Sequence, residues 1–117
     1  MINAVTLVTA DMARSFAFYD SLGFDLLVGG PDDPFTTYRA GEGFLNLQLD
    51  PEHAPVPAIW GLVIFCVVEV DELDARAREA GYEPEMVPAD APWGERYFHL
   101  HDPDGHELSF ARPFPST

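Results

Sequence analysis

The chain contains two copies of one sequence pattern, and this internal repeat limits the folds that it can adopt. Residues 5–25, VTLVTADMARSFAFYDSLGFD, align without a gap to residues 63–83, VIFCVVEVDELDARAREAGYE. Each copy has an apolar run of strand length, a segment with helical periodicity and a glycine typical of a helix end. The repeat therefore predicts two equivalent modules that each begin with a strand and a helix.

Each predicted helix has an acidic residue at its start. Asp11 is the predicted N-cap of the first helix and Asp71 that of the second, because an aspartate side chain accepts hydrogen bonds from the first N–H groups of a helix. Gly23 and Gly81 are predicted to adopt the left-handed conformation that ends a helix. The two helices are thus expected to have similar lengths.

Short strands are predicted after each helix, which gives each module the order βαβββ. Residues 51–59 lie between the modules and contain prolines without apolar periodicity, as expected of a linker. The sequence therefore predicts one α+β domain over residues 1–117, with module one at 1–50 and module two at 60–113, that forms a curved mixed sheet around a cavity. The predicted strands cover residues 26–28, 36–40 and 45–49 in module one, and 85–87, 96–101 and 106–111 in module two.

The charge balance excludes several classes of partner. Six Lys plus Arg, all of them arginine, stand against 20 Asp plus Glu, which gives a formal charge of -14. Such a surface repels nucleic acid and anionic lipid, and it either attracts cationic ligands or only maintains solubility. The chain has no apolar run long enough to span a bilayer, no export signal, and one cysteine, which cannot form an internal disulfide. We therefore expect a cytoplasmic protein without nucleic-acid or membrane partners.

Three histidines, two aspartates and a glutamate lie within residues 97–110, YFHLHDPDGHELSF, at a density typical of metal sites. Gly105 is fourth in its acidic segment, whereas an EF-hand calcium loop requires its glycine at the sixth position. Pro103 and Gly105 instead predict a hairpin turn between two strands. Alternation along these strands places the polar side chains on the face opposite the apolar ones. The polar residues on that face are Tyr97, His99, Glu107 and Ser109.

With these features the chain resembles the vicinal oxygen chelate superfamily of glyoxalases, extradiol dioxygenases and bleomycin-resistance proteins. The resemblance rests on VTLVTADMARSFAFYDSLGF, WGLVIFCVVEVDELDARA and PWGERYFHLHDPDGHELSFARP, which cover most of the chain. The PWG and DPDG motifs and the acidic charge are most similar to the bleomycin-resistance branch. The resemblance implies paired βαβββ modules, usually in a homodimer, with concave sites that hold a divalent metal or a drug.

The metal-dependent members of this superfamily place their ligands at four inward positions. The resemblance carries these positions to Ala4, Gln48, Leu62 and Ser109. Alanine and leucine offer no lone pair, and a neutral serine hydroxyl is a weak ligand for a divalent ion. We therefore expect no metal and no other cofactor at this set of positions.

Two functions remain open from the sequence. As the bleomycin-resistance resemblance implies, we expect a non-catalytic protein that sequesters an aromatic natural product or antibiotic, with or without a positive charge. The alternative is a metal-free enzyme of the glyoxalase or dioxygenase type, in which His99 or Glu107 is the general acid or base. A metal held by His99, Glu107 and Gln48 is a less favoured version of the enzyme, because apolar residues are expected opposite it.

The expected binding site has apolar walls with a few polar groups, as small-molecule pockets do. Cys66 lies within an apolar run and is expected to be an inert, buried thiol. The predicted ligand-binding residues are Tyr38, Asn46, Gln48, Ile64, Cys66, Trp93, Tyr97, His99, Glu107 and Ser109.

Overall fold

The structure is a computed structural model of the chain, and it describes residues 2–56 and 61–115. Within these residues the order βαβββ occurs twice, as the repeat predicts. The first module consists of β1 (Ala4–Thr9), α1 (Met12–Ser21), β2 (Asp25–Val28), β3 (Phe35–Ala40) and β4 (Gly43–Leu49). The second module consists of β5 (Val63–Cys66), α2 (Val70–Glu79), β6 (Ala89–Ala91), β7 (Glu95–His101) and β8 (Glu107–Pro113).

Each module forms its own four-stranded mixed sheet. The strand orders are β1-β4-β3-β2 and β5-β8-β7-β6, so the last strand of each module pairs with the first. That pairing is parallel in both sheets, and the other pairings are antiparallel. The predicted α+β fold of tandem βαβββ modules is therefore confirmed.

The chain divides into two compact units whose borders differ slightly from the modules. One unit comprises Met1–Ala58 and Asp102–His106, and the other comprises Ile59–His101 and Glu107–Thr117. The turn between β7 and β8 thus belongs to the first unit, although both of its flanking strands belong to the second.

The core of the first unit lies between its sheet and α1. Leu7 of β1 and Leu45 and Leu47 of β4 are buried, and the residues that flank them in these strands are less buried. Phe18 and Tyr19 of α1 are also fully buried, and their rings meet edge to face at 4.9 Å. Burial of this one face fixes the pairing register, because a shift by one residue would expose the three leucines.

The core of the second unit likewise lies between its sheet and its helix, and it includes two fully buried phenylalanines. Phe98 pairs with Phe110 across β7 and β8, and their rings stack at 5.3 Å. Leu108 lies on the same face, and Leu73 and Ala77 of α2 are buried with it. The opposite face of this sheet therefore carries the residues that alternate with Phe98, Leu108 and Phe110 along the strands.

The two helices begin differently. Asp11 is the N-cap of α1, and its side chain accepts a hydrogen bond from the Arg14 N–H at 3.0 Å, as predicted. The prediction of Asp71 as the N-cap of α2 is wrong, because the cap is Glu69, which makes no side-chain cap hydrogen bond. Asp71 lies in the first turn and accepts two hydrogen bonds from Arg96, at 2.6 and 2.7 Å. Hydrogen bonding to Arg96 lowers the pKa of Asp71.

The strand that the sequence predicts at residues 85–87 is misplaced. That segment contains a bend, and β6 begins only at Ala89. Pro84 and Pro88 flank the segment and supply no backbone N–H, so a continuous ladder cannot form there. One backbone hydrogen bond joins this segment to β7, from the Glu85 N–H to the His99 carbonyl at 3.1 Å.

The predicted linker forms no helix or strand over residues 51–56. Its remaining residues, 57–59, lie outside the described part of the chain, as does residue 60, where module two is predicted to begin. Among the described residues, no helix has the length and apolar character needed to cross a membrane.

Candidate functional site

The two aspartates of the DPDG turn, residues 102–105, are committed to holding the turn. Asp102 Oδ1 accepts hydrogen bonds from the N–H groups of Asp104 and His106, and Asp102 Oδ2 accepts one from the Tyr19 hydroxyl at 2.7 Å. Burial raises the pKa of Asp102, and burial together with the adjacent Asp102 carboxylate raises the pKa of Tyr19 well above 10. Asp102 therefore acts as an internal acceptor within the first unit.

Asp104 joins the same turn to the start of α1. Its Oδ1 accepts from the Ala10 N–H at 3.0 Å and from Arg14 Nη2 at 2.8 Å, and its Oδ2 accepts from the Ser15 hydroxyl at 3.0 Å. Gly105 adopts a φ of +86°, and a Cβ there would lie 3.0 Å from the Val56 carbonyl oxygen. The predicted hairpin turn is confirmed, and the carboxylates of Asp102 and Asp104 stabilise it and link it to α1.

The face of the second sheet opposite its buried phenylalanines gathers several residues that the sequence predicts to bind a ligand. Its β5 residues Ile64 and Cys66 are exposed, whereas its β8 residues Glu107, Ser109 and Ala111 are buried. We define the open face of the second sheet as the face opposite Phe98 and Phe110. Pairing between β5, β8 and β7 arranges the side chains of this face in three rows. The rows are His101 with Glu107; His99 with Ser109 and Ile64; and Tyr97 with Ala111 and Cys66.

Three aromatic rings run along β7 and the turn before it. The rings of Trp93 and Tyr97 lie 5.7 Å apart, and those of Tyr97 and His99 lie 5.3 Å apart. Trp93 is 68% exposed, and its Nε1–H donates to Glu95 Oε1 at 2.7 Å. We call Trp93, Tyr97 and His99 the aromatic strip; it offers π surfaces on which a flat or cationic molecule can stack.

The aromatic strip ends beside a buried carboxylate. His99 Nδ1 lies 3.4 Å from Glu107 Oε1, and the Glu107 side chain is only 6% exposed. Glu107 is the first residue of β8 and pairs with His101 of β7. A histidine and a carboxylate at this distance can exchange a proton with a bound molecule or pair with its basic group.

The first sheet also has a polar exposed side. Asn46 of β4 accepts a hydrogen bond from the Thr37 hydroxyl at 2.8 Å and donates one to the Thr6 hydroxyl at 3.2 Å. Gln48 is exposed on the same strand and pairs with Phe35 of β3, which is also exposed. Thr6, Asn46 and Thr37 thus form a row of side-chain hydrogen bonds across β1, β4 and β3.

The prediction that Tyr38 shares a face with Asn46 is wrong. Tyr38 pairs with Leu45 and is only 1% exposed, and its ring packs against Tyr19 and Phe24 at 5.7 and 5.8 Å. Its hydroxyl has no hydrogen-bond partner among the described residues, and burial raises its pKa to about 12. Tyr38 is therefore a core residue of the first unit.

The expectation of a buried Cys66 is also wrong, because the thiol is exposed. β5 is an edge strand, so one of its sides has no neighbouring strand. Ile64 and Cys66 alternate with the better covered Val63 and Phe65, and both project to the open face. The apolar run at 63–66 thus belongs to a strand that is covered on one face only.

The pairing registers also revise one of the four superfamily positions. Thr6 and Ile64 are equivalent in the repeat; Thr6 pairs with Asn46, and Ile64 pairs with Ser109. The counterpart of Ser109 in the first module is therefore Asn46, whereas the sequence assigns Gln48. Both residues carry neutral amides, so the donor set remains poor in metal ligands.

Sequence reasoning missed one group of residues. Glu85, His101 and Glu107 each offer a ligand atom, and these atoms lie within 4.8 Å of one another. His101 and Glu107 are close in sequence, but Glu85 is distant from both. Glu85 also lies in the bend before β6, where the sequence predicts a strand. Only the distance between side chains in the folded chain identifies this cluster.

The fold agrees with what sequence comparison shows. A sequence model of the Glyoxalase/Bleomycin resistance protein/Dioxygenase superfamily matches residues 1–110. The chain therefore belongs to this superfamily. No curated protein sequence matches the chain.

Solved structures with this fold include proteins of different function. TioX from Micromonospora sp. ML1 is 27% identical, with a TM-score of 0.77, and the match covers 97% of this chain and 99% of that one. A bleomycin-binding protein complexed with bleomycin is 22% identical, with a TM-score of 0.74 and 96% coverage of both chains. Lactoylglutathione lyase from Agrobacterium tumefaciens is also 22% identical, with a TM-score of 0.70 and coverage of 96% and 92%. At these identities the last two similarities establish the fold alone.

Proposed function

We propose that the protein binds and sequesters an aromatic natural product or antibiotic without converting it. The observation that supports this proposal is the aromatic strip, in which Trp93 is exposed and Tyr97 and His99 are half-buried, and which ends at the buried Glu107 carboxylate. The similarity in fold to a bleomycin-binding protein supports the same choice of ligand class. On the open face of the second sheet, the proposed contacts are Ile64, Cys66, Trp93, Tyr97, His99, Glu107 and Ser109. Asn46 and Gln48, in the first unit, remain separate predictions.

The aromatic strip and the carboxylate favour a flat ligand that carries a basic group. Stacking of a cation on an exposed aromatic ring contributes about 0.5–1 kcal/mol, and more where the cation is desolvated. The net charge of -14 raises the local concentration of cations and speeds their encounter with the face. Sequestration then acts by mass action, because a bound drug no longer contributes to the free concentration.

Titration with bleomycin tests the proposal directly. The Trp60→Phe variant leaves Trp93 as the one tryptophan of the sequence, so intrinsic fluorescence then reports on the aromatic strip. We expect saturable quenching and recovery of chemically unchanged bleomycin by mass spectrometry. Trp93→Ala, measured by calorimetry, is expected to weaken binding by about fivefold, which corresponds to about 1 kcal/mol.

Val68→Ala is the matched control for Trp93→Ala. Val68 is 69% exposed and lies in the same unit, but outside the aromatic strip. We expect this variant to bind bleomycin as the unmodified protein does. Equal losses for both variants, or recovery of a converted product, would overturn the proposal.

One observation favours a second function. His99 Nδ1 and Glu107 Oε1 lie 3.4 Å apart, a pair suited to general acid–base chemistry. The chain would then be a metal-free enzyme of the glyoxalase or dioxygenase type. Turnover of the hemithioacetal of glutathione and methylglyoxal in chelator-treated protein, abolished by Glu107→Gln, would establish this function in place of sequestration.

We further propose that the chain acts as a single domain in a cytoplasmic homodimer. The superfamily resemblance supports the dimer, and the single cysteine, which cannot form an internal disulfide, is compatible with a reducing compartment. Light scattering is expected to give twice the 13.0 kDa mass of one chain. A monomeric mass at micromolar concentration would contradict the dimer.

A further inference from the structure

A cluster of three metal-ligating side chains lies at one end of the open face of the second sheet. His101 is the last residue of β7, and it pairs with Glu107, the first residue of β8. Glu85 reaches the same place from the bend before β6, which is tied to β7 by the hydrogen bond from the Glu85 N–H to the His99 carbonyl. One ligand atom from each side chain lies within 4.8 Å of the other two.

The ligand atoms, which lie within 4.8 Å of one another, would have to approach one another slightly to surround an ion. Metal–oxygen and metal–nitrogen bonds of about 2.0–2.2 Å place neighbouring ligand atoms roughly 3–3.5 Å apart. Glu85 Oε1 and His101 Nδ1 are already 2.5 Å apart, and their side chains are 37% and 47% exposed. Both side chains are accordingly free to rotate by the small amount needed, whereas the buried Glu107 provides a fixed point.

The environment of Glu107 is a second and independent reason to expect a cation at this cluster. A carboxylate that is 6% exposed needs compensation by hydrogen bonds or an opposite charge. From the described residues it receives one ion-pair contact, from His99 Nδ1 at 3.4 Å, which is longer than the roughly 2.7–2.9 Å of a charge-assisted hydrogen bond. A divalent cation beside Glu107 would add a stronger interaction than this long contact with His99.

The DPDG aspartates are the contrasting case. The carboxylate of Asp104 accepts three hydrogen bonds, from Ala10, Arg14 and Ser15. Its charge is balanced by Arg14 at 2.8 Å, so it has no need of a metal ion. In this hairpin, Asp102 and Asp104 therefore stabilise the turn, whereas Glu107, at the start of β8, belongs to the cluster.

We propose that Glu85, His101 and Glu107 bind a divalent transition-metal ion of the Zn²⁺ or Co²⁺ type. Imidazole together with carboxylates favours these ions over Ca²⁺ and Mg²⁺, which prefer ligand sets made of oxygen alone. Three protein ligands leave a fourth position for water or a ligand atom. The site does not use the superfamily positions at Ala4, Leu62 and Ser109. It shares Glu107 with the proposed drug-binding face, whereas Glu85 and His101 belong to the metal cluster alone.

Titration of untagged, chelator-dialysed protein with Co²⁺ and with Zn²⁺ tests this site. We expect one Co²⁺ per chain by calorimetry, with a visible absorption band that Zn²⁺ removes. His101→Ala and Glu85→Gln are each expected to weaken binding at least tenfold, since even an indirect partner of a metal-bound histidine contributes about 10–100-fold. Glu107→Gln is expected to weaken binding as strongly, and circular dichroism shows whether this buried variant is folded.

The matched controls lie in the first unit. His53→Ala and Glu52→Gln remove a histidine and an exposed glutamate outside the cluster, and both variants are expected to bind Co²⁺ as the unmodified protein does. Absence of binding at micromolar metal would show that the cluster is only an ion-pair network. Equal affinity of the unmodified protein, His101→Ala and Glu85→Gln would equally overturn the proposal. Trp93→Ala is expected to keep its metal affinity, so the two proposals fail separately.

Discussion

Replacing Asp104 by alanine would remove the acceptor that joins the DPDG turn to the start of α1. Three donors lose their partner in this variant: the Ala10 N–H, the Ser15 hydroxyl and the Arg14 guanidinium. The Ser15 hydroxyl keeps its 2.6 Å hydrogen bond with Thr9, and Arg14 is 46% exposed and regains water. The largest single loss is therefore at the Ala10 N–H, which is left without its acceptor.

These contributions lead to a definite magnitude. A hydrogen bond to a charged acceptor contributes about 1.5–3 kcal/mol where it is buried, and an exposed ion pair contributes about 0–1 kcal/mol. The Thr9 hydroxyl and water replace part of what Ser15 and Arg14 lose. We therefore expect Asp104→Ala to lower the free energy of unfolding by about 3 kcal/mol. An unfolding entropy of about 2.1 cal/mol/K per residue over 117 residues converts this loss to a decrease in Tm of about 12 °C.

Calorimetric and urea-induced unfolding of the variant and two controls test the reasoning. Arg14→Gln removes only the exposed partner, so its Tm is expected to decrease by less than about 4 °C. Asp32→Ala removes an exposed aspartate of the β2–β3 loop and is expected to leave Tm unchanged. A loss below about 1 kcal/mol for Asp104→Ala, or equal losses for Asp104→Ala and Arg14→Gln, would refute the assigned role of Asp104.

Three further predictions concern single side chains. His99→Ala is expected to leave the fold intact and to weaken bleomycin binding by calorimetry; an unchanged affinity would remove His99 from the site. Burial raises the pKa of Asp102, so its contribution to stability is complete below the unfolded value of 3.8 and is lost as the pH rises through the folded pKa. Asp102→Asn has no such titration, and urea unfolding is expected to show it gaining stability relative to the unmodified protein as the pH rises above 3.8. The exposed Cys66 is expected to react fully with a thiol reagent in the native protein, and a requirement for denaturant would contradict its exposure.

Most of the fold could be predicted from the repeat, because each copy combines an apolar run, a helix start signal and a glycine at the helix end. Asp11 caps α1 as predicted, since the capping aspartate directly precedes the helix. The second helix misled the prediction because Glu69, Asp71 and Glu72 are all acidic and close together, and composition does not decide which of them precedes the first turn. Only the ion pair between Asp71 and Arg96, 25 residues away in sequence, explains the position of Asp71.

The candidate site was less predictable because strand faces depend on long-range pairing. In β3, FTTYRA, threonine and tyrosine are compatible with either face, and the burial of Tyr38 follows from its contacts with Tyr19 and Phe24. In β5 every residue is apolar, so the sequence carries no alternation that would reveal the exposure of Cys66. In β7 the alternation was clear, and the observed register places Tyr97 and His99 on one face.

The assignment of residues 102–106 to the first unit has a consequence for synthesis of the chain on the ribosome. Ala10, Arg14 and Ser15 emerge early, but their acceptor Asp104 is added about ninety residues later. The first unit therefore cannot complete its native hydrogen bonds until nearly the whole polypeptide has been translated. A nascent chain that stops within the second module would display an α1 whose start still lacks its acceptor.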